Sequence, residues 1–417
     1  MLVDGDRPSS FIAQQLGRKS SSVARALRSL ERRGLVETTS TGKTRYRIFT
    51  LTDKARSNLT REKLSPRIEQ IDILPVEEAI GTLAATQFSL SSQLAITAES
   101  INGFLREVFK ASRANSIEGA VRLILDAGGK RIRPYLVLES CQAVGGNAMN
   151  ALPVAAASEL LHTSTLIHDD IIDENEWRRG VRTVHAKWGV PTALLAGDFA
   201  FSKAIEVLCG GYKEIEDSKA LRVANIFAHA MSDMAEGQIL DAAMGNIERE
   251  PEEYEYFLIA KLKVSSLFRA CASAGAIVGG GSDQEVKALA NYGENLGIAF
   301  KVIDDCLWLE ADERLLGKPV GYDIMEGKKT LPIIHALKFL PQEERQILLN
   351  MLGNKRAATD EIRRAISVIM GARSIEYSRK KAMRYGKKAI ESLDKLPETP
   401  SRENLKFLLA LVFGRVF

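Results

Sequence analysis

The residues of this sequence best suited to chemistry are acidic. One cluster, Asp-Asp-Ile-Ile-Asp at 169–173, follows an apolar stretch, residues 151–166, whose pattern predicts a helix. If that helix continues, Asp169 and Asp173 lie one turn apart on one face. Neighbouring carboxylates repel each other unless a cation lies between them, and Mg²⁺ suits carboxylate oxygens that have no Cys or His ligands nearby. The cluster is a candidate magnesium site, with a solvated acidic helix face as the alternative.

A second acidic pair and several basic residues extend this hypothesis. Asp304 and Asp305 lie on another apolar segment, and Asp198 and Asp241 are single acids on further ones. Mg²⁺ prefers one or two protein carboxylates together with phosphate oxygens, so two facing acidic helices predict a metal-bound diphosphate. Such a ligand also needs fixed positive charge. The candidates, each a surface charge if taken alone, are Lys130, Arg131, Arg133, Arg178, Arg179, Lys263, Lys318 and Lys328.

Helices must position these side chains, because the sequence after residue 76 is dominated by Ala, Leu and Ile at helical spacing. The clearest predicted helices are residues 151–173, 193–208, 221–243, 254–276 and 284–309, joined by short glycine-containing segments. Alternating β-branched runs are few. We therefore predict an all-α fold for this part of the chain.

From about residue 102 to the C-terminus, the sequence resembles the trans-isoprenyl diphosphate synthase (polyprenyl synthetase) family. The matching motifs are Gly-Gly-Lys-Arg-Ile-Arg-Pro at 128–134, Leu-Leu-His at 160–162, the cluster at 169–173 with Arg-Arg-Gly at 178–180, Gly-Gln-Ile-Leu-Asp at 237–241, Gly-Lys-Pro-Val-Gly-Tyr-Asp at 317–323 and Glu-Gly-Lys-Lys-Thr-Leu-Pro at 326–332. The resemblance implies an isoprenoid synthase helical bundle with a central cavity, a homodimer, and condensation of isopentenyl diphosphate with an allylic diphosphate.

The resemblance also implies a role for individual residues. Asp169, Asp173 and Asp304 would hold Mg²⁺ on the allylic diphosphate. That diphosphate would be bound by Arg178, Lys263, Lys318 and Lys328, and isopentenyl diphosphate by Lys130, Arg133, His162 and Arg179. Gln238, Asp241 and Asp305 are expected behind the metal ligands.

Three residues depart from the family pattern around the second acidic pair. Lys301 replaces a glutamine, Val264 replaces a threonine, and Trp308 replaces a third aspartate. Asp304, expected nearest to a metal, is retained. The departures leave open the hypothesis that the chain is a non-catalytic subunit of a heteromeric synthase.

The residues before the first acidic cluster bear on product length. Ser164 and Thr165 are small, at positions where short-chain members of the family often carry an aromatic side chain. We therefore predict a geranylgeranyl or longer product, with longer favoured. Leu161 or Phe199 could instead close the cavity.

Composition and charge point to a cytoplasmic protein with a distinct N-terminal segment. No uninterrupted stretch of about 18 apolar residues exists, and a signal-peptide layout is absent. The four cysteines have no metal-ligand spacing, so buried free thiols are expected. Residues 1–60 contain 12 Lys and Arg against 5 Asp and Glu, whereas the rest of the chain has 45 against 48.

This basic segment resembles a winged helix-turn-helix (α+β) domain. Helices are predicted at 9–16 and 20–33, and strands at 35–37 and 45–49. Arg25, Arg28 and Arg32 share one helix face, which could contact DNA phosphates or simply be solvated. The predicted domains are this one at 1–56, a linker at 57–76 and the synthase at 77–417. A DNA-binding regulator that senses prenyl diphosphates is the alternative function.

Overall fold

The computed structural model describes residues 7–8, 36–39, 48–51, 76–110, 115–209, 216–245, 249–310 and 321–414. The chain divides into two compact units, Met1–Ala85 and Thr86–Phe417.

The described part of the first unit is a small antiparallel sheet. Its strands are β1 (Arg7–Pro8), β2 (Val36–Thr39) and β3 (Ile48–Leu51), in the order β1-β3-β2. The strands predicted at 35–37 and 45–49 overlap β2 and β3 at 36–37 and 48–49, and the rest of the two predicted ranges lies outside the described residues. The predicted helices and the stripe of Arg25, Arg28 and Arg32 lie outside the described residues, so the winged-helix domain stays a prediction.

The second unit is helical, and the all-α prediction is confirmed. Its helices are α1 (Val76–Lys110, which begins before the unit boundary), α2 (Asn115–Asp126), α3 (Ile132–Ala143), α4 (Ala148–Ile172), α5 (Val184–Trp188), α6 (Val190–Cys209), α7 (Asp217–Gly245), α8 (Glu253–Ile259), α9 (Ser266–Val278), α10 (Asp283–Glu310), α11 (Tyr322–Met325), α12 (Leu331–Phe339), α13 (Gln342–Met351), α14 (Thr359–Gly371), α15 (Ser374–Leu393) and α16 (Pro400–Phe413). A two-stranded hairpin, β4 (Trp177–Arg178) and β5 (Val181–Arg182), follows α4.

Helix α4 carries the first acidic cluster and packs against α3, α6 and α9. It begins after Asn147, whose side-chain oxygen caps the helix by accepting the Met149 N–H. Small buried side chains allow close packing on its neighbours, and α6 meets it with a buried stripe of Ala193, Ala196, Gly197, Ala200 and Ala204. Because α4 is held along most of its length, its C-terminal end is a rigid support for the acidic cluster.

The cysteines of the chain are all free thiols, as expected. Cys141, Cys271 and Cys306 are buried, and burial raises the pKa of the Cys141 thiol to about 11. The expectation of burial is wrong for Cys209, which is exposed because it is the last residue of α6. Within the described ranges, no helix is both long and apolar enough to cross a membrane.

Candidate active site

The first acidic cluster lies where α4 ends. Asp173 caps the helix, and its N–H donates to the carbonyl of Asp169 at 2.8 Å, so the two residues are one turn apart. Burial raises the pKa of the Asp169 carboxyl and the charge of Asp173 adds to this effect, while Lys263, Arg178 and Lys328 oppose it. The end of α4 is thus a place where two carboxylates and three basic side chains act on one another.

The Arg-Arg-Gly motif forms the turn between β4 and β5. Arg179 and Gly180 have φ values of 51° and 79°, and positive φ at both central residues is typical of a type I′ hairpin turn. Arg178 donates from Nε and Nη2 to both carboxylate oxygens of Asp170 at 2.7–2.9 Å, and Asp170 is only 1% exposed. The hairpin is therefore anchored to α4 by a buried bidentate ion pair.

The glycine-rich loop before α3 contacts the same hairpin. Arg179 donates to the carbonyl of Gly128, and a Cβ on Gly129 would lie 2.7 Å from Arg179 Nη1. Gly129 has a φ of 143°, a backbone conformation that favours glycine. The Gly-Gly pair thus lets Arg179 approach the loop.

Arg131, the fourth residue of this motif, has an internal role. It is 4% exposed and donates to Glu159 at 2.7 Å and to the carbonyl of Leu125 at 2.6 Å. Its buried guanidinium fixes the loop that carries Lys130 and the start of α3, where Arg133 lies, and Lys130 remains exposed.

His162 lies among arginines two turns before the acidic cluster. Burial lowers the pKa of His162 well below its usual range, and the charges of Arg133, Arg179 and Arg178 lower it further. The imidazole is therefore neutral at pH 7. Its buried Nδ1 has no hydrogen-bond partner among the described residues, and the Arg133 guanidinium lies 4.9 Å from the centroid of the Phe268 ring. This pocket suits a strongly anionic group.

Lys263 is carried by a π-helical segment that the sequence pattern did not predict. The segment is Ala260–Ser265, between α8 and α9, where a regular helix was expected across 254–276. Lys263 Nζ donates to Asp241 Oδ2 at 2.6 Å. Burial works against ionisation of Asp241, but Lys263 and Lys301 outweigh it and hold the pKa of this carboxyl below its usual value. The π-segment therefore places Lys263 beside α7, where it pairs with Asp241.

The second acidic pair on α10 has two different environments. Asp305 is 2% exposed, with Oδ2 accepting from the Tyr256 hydroxyl and Oδ1 from Lys301 Nζ, both at 2.6 Å. Burial and the charge of Asp305 raise the pKa of Tyr256 well above its usual range. Both oxygens of Asp305 thus accept from side chains, and Asp304 is the less buried carboxylate of this pair.

The last two motifs bring a buried aspartate and a lysine to the site. Lys328 Nζ donates to Asp173 Oδ2 at 3.0 Å. Burial lowers the pKa of Lys328, but Asp173 and Asp323 outweigh it and raise the value overall. Asp323 is 6% exposed, and burial together with Asp305 raises its pKa to about 6. Lys318 lies outside the described residues.

Trp308, at the position of the expected third aspartate, packs beside the site. Its ring centroid is 6.3 Å from that of Tyr322, whose hydroxyl donates to Asn175 Oδ1 at 2.5 Å. Tyr322 therefore connects this tryptophan to the segment that follows the first acidic cluster.

The structure separates the predicted residues into those that meet and those that do not. Asp198 lies on α6 with a side chain 69% exposed, and its carboxylate is 3.6 Å from His168. Gln238 lies one residue from the close contact of α7 with the π-segment, and its buried Oε1 has no hydrogen-bond partner within the described ranges. Tyr256 and Asp323 were not among the predicted site residues. Asp323 is the last residue of the motif at 317–323, so the sequence could have indicated it as a site residue, whereas no motif includes Tyr256.

The donor chemistry fits Mg²⁺ when a diphosphate shares the coordination. No three His, Cys, Asp or Glu side chains converge as a metal cluster in the part of the chain described. The candidate ligands Asp169, Asp173 and Asp304 supply only carboxylate oxygens, and basic side chains flank them. Hard oxygen donors completed by phosphate oxygens are a usual coordination for Mg²⁺.

Asp323 gives a pH-dependent prediction. Its folded pKa of about 6 lies above the usual 3.8, so stability falls as pH rises through this window, because unfolding releases the proton. Asp323→Asn mimics the protonated form. We expect its stability advantage to grow from about pH 4 to about pH 6 and then stay constant, reaching about 2–4 °C in melting temperature. Thermal unfolding over a pH series measures this.

The control for this experiment is Asp360→Asn. The Asp360 side chain is 96% exposed, so its replacement should change stability little at any pH. An advantage of Asp323→Asn that is the same throughout the series would contradict a raised pKa at Asp323.

Comparisons with known proteins identify the family of this chain. The family model described as Polyprenyl synthetase matches residues 114–369. Geranylgeranyl diphosphate synthase of Saccharolobus solfataricus is 38% identical over 317 residues, which cover 76% of this chain and 93% of that protein. Octaprenyl diphosphate synthase of Escherichia coli is 36% identical over 284 residues, covering 68% and 84%.

A solved structure of the same family has a similar fold. The crystal structure of geranylgeranyl pyrophosphate synthetase from Pyrococcus horikoshii Ot3 has a TM-score of 0.74 and 37% identity, covering 79% of this chain and 99% of that one. With its helical bundle, its acidic clusters and these matches, the chain belongs to the polyprenyl synthetase family.

Proposed function

We propose that this chain condenses isopentenyl diphosphate with an allylic diphosphate, head to tail and in trans geometry, to give geranylgeranyl or a longer polyprenyl diphosphate. The observation that carries the proposal is the convergence of Asp169 and Asp173 with Lys263 and Lys328 at the end of α4. The carboxylates suit Mg²⁺, and the ammonium groups beside them suit the diphosphate that the Mg²⁺ would hold. The relatives named above for geranylgeranyl and octaprenyl products support the same reaction class.

The proposed mechanism divides the binding groups between two substrates. When bound, Mg²⁺ supplies Lewis-acid stabilisation of the departing diphosphate, with Asp169, Asp173 and Asp304 as its protein ligands. Lys263 and Lys328 each donate one proton to a carboxylate and have others left for phosphate oxygens. These fixed charges stabilise the negative charge that grows as the allylic carbon–oxygen bond breaks.

The arginine pocket around His162 is the proposed site of isopentenyl diphosphate. Arg133, Arg179 and the neutral His162 act on one another there, and Lys130 is exposed on the adjacent loop. Binding there would place the double bond of isopentenyl diphosphate towards the allylic carbon at the end of α4. Orientation of this kind makes the attack effectively unimolecular. The attack leaves a carbocation on the former isopentenyl unit, and the departing diphosphate would accept the proton whose loss forms the new double bond.

A purified chain incubated with Mg²⁺, labelled isopentenyl diphosphate and a series of allylic primers tests the proposal. We expect elongated products that disappear when a chelator removes the metal. A folded protein that elongates no primer would contradict the proposal and favour the non-catalytic subunit.

Product length gives a second measurable expectation. Ser164 is 1% exposed, and the Thr165 hydroxyl donates to its own helix at the His162 carbonyl. Phe199 stacks on Phe109 with ring centroids 6.3 Å apart, which makes this pair an alternative floor of the product cavity.

We expect Ser164→Phe to shorten the main product by at least about one isoprene unit, because the ring would extend from α4 into the space that a growing chain needs. Chromatography of the products measures this, and Ser164→Ala is the control. Unchanged lengths from an active Ser164→Phe enzyme would favour the Phe199 floor.

Two further proposals concern partners. A homodimer is supported by the exposed apolar side chains Trp188, Val190, Leu194 and Leu195, which lie close together in the chain. DNA binding by the N-terminal domain is supported by the basic balance of residues 1–60 and by the β2–β3 pair. Because phosphate contacts weaken steeply with salt, a salt titration of duplex DNA binding tests the second proposal.

A further inference from the structure

Lys301 places a fixed positive charge beside Asp305 of the second acidic pair. Its ammonium donates to Asp305 Oδ1 at 2.6 Å, and its side chain is only 21% exposed. The other oxygen of Asp305 accepts from Tyr256, so both partners of the pair are held in place. A salt bridge of this kind is costly to desolvate, so it is not explained by stability alone.

The charge of Lys301 is shared among carboxylates from three helices. Burial works against the charged form of Lys301, but Asp305 on its own helix, Asp241 on α7 and Asp323 on α11 outweigh this and raise its pKa. Asp241 is in turn bonded to Lys263, one of the proposed ligands of the allylic diphosphate. Lys301 and Lys263 therefore act on the same carboxylate, Asp241.

We propose that Lys301 is a positioning residue whose ammonium replaces part of the Mg²⁺ charge needed to hold the diphosphate. This chain would then bind its substrate with fewer metal ions than a chain that has a neutral side chain at this position. The inference rests on the proposed prenyltransferase function. A cation at this place attracts a diphosphate and repels Mg²⁺, and both effects are strong in a partly buried site. Thermodynamic linkage then requires the metal dependence of substrate binding to fall.

The experiment measures binding rather than turnover. The probe is a non-cleavable allylic thiodiphosphate, in which sulfur replaces the bridging oxygen, and calorimetry gives its Kd over a series of Mg²⁺ concentrations. We expect Lys301→Gln to weaken binding about tenfold at low Mg²⁺ and to raise the slope of log(1/Kd) against log[Mg²⁺] by about one. Lys301→Arg, which keeps the charge, should retain the wild-type slope.

Two variants of Asp305 separate charge from packing. Asp305→Asn adds one net positive charge, so the slope should fall below that of the wild type. The double variant Lys301→Gln/Asp305→Asn restores the net charge and should return to the wild-type slope although it removes the ion pair. If Lys301→Gln does not fold, the opposite shift in Asp305→Asn still tests the proposal.

The outcomes that would overturn the inference are distinct from failure of the proposed function. An unchanged slope in both single variants, or a double variant as impaired as Lys301→Gln, would show that Lys301 acts through packing. A folded wild-type chain that binds no thiodiphosphate at any Mg²⁺ concentration would instead reject the diphosphate site itself.

Discussion

Replacing Asp169 with asparagine is expected to lower kcat/KM by at least about 10³-fold without destabilising the protein. The loss follows because an amide is a poor ligand for Mg²⁺ and carries no charge. The stability follows from the environment. Burial and the charge of Asp173 raise the pKa of Asp169, so the ionised carboxylate is unfavourable in the metal-free fold at neutral pH. We expect the melting temperature of the metal-free variant to equal or exceed that of the wild type.

Steady-state kinetics and thermal unfolding, both with and without Mg²⁺, measure the two effects separately. Asp198→Asn is the matched control, because Asp198 lies on the neighbouring helix α6 with a side chain 69% exposed. Its activity and stability should stay close to those of the wild type. If activity and stability of Asp169→Asn fell in parallel, Asp169 would be a structural residue.

The sequence predicted the helices of the bundle well. The helices predicted at 151–173 and 284–309 are found at Ala148–Ile172 and Asp283–Glu310. Helical spacing of apolar residues records which face is buried, and this pattern is local. The end of α4 was also predictable, because the spacing from Asp169 to Asp173 is one helical turn.

The sequence did not reveal how most of the charged side chains of the site pair with one another. The sequence assigned no role to Asp170, yet it is the aspartate that Arg178 binds through the hairpin. Asp305 is likewise bonded to Tyr256, which lies on a different helix, α8. Its second partner, Lys301, lies four residues earlier on the same helix and was predictable from the sequence. The partners Arg178 and Tyr256 are set by tertiary packing, which the local sequence pattern does not record.

The π-segment was also hidden, for a different reason. One extra residue in a single turn hardly changes the apolar pattern, so residues 254–276 looked like one regular helix. Its consequence is specific, because the segment carries Lys263 to Asp241 at 2.6 Å. It also forces α7 so close that Gly237 has no space for a side chain. A Cβ there would lie 2.5 Å from the backbone nitrogen of Lys263 and 2.9 Å from its Cα.

Gly237→Ala should therefore lower both stability and activity. Alanine favours a helix more than glycine by about 1 kcal/mol, but the clash is with backbone and cannot be relieved by a rotamer change. We expect the free energy of unfolding to fall by about 2 kcal/mol or more. We also expect kcat/KM to fall about 10²-fold, because a displacement of about 1 Å would move Lys263 away from Asp241 and from the substrate. Chemical denaturation and steady-state kinetics measure the two quantities.

Gly245→Ala is the control within the same helix. A Cβ on Gly245 would have its nearest contact at 3.9 Å, with the carbonyl of Gly327, so the helix preference of alanine acts there without a clash. Equal effects of the two substitutions would contradict the close approach of α7 to the π-segment. Gly237→Ala and Asp169→Asn also differ from each other in a useful way. The glycine variant should lose stability and activity together, because packing holds Lys263 in place, whereas the aspartate variant should lose activity alone, because its carboxylate serves the chemistry at a cost to the fold.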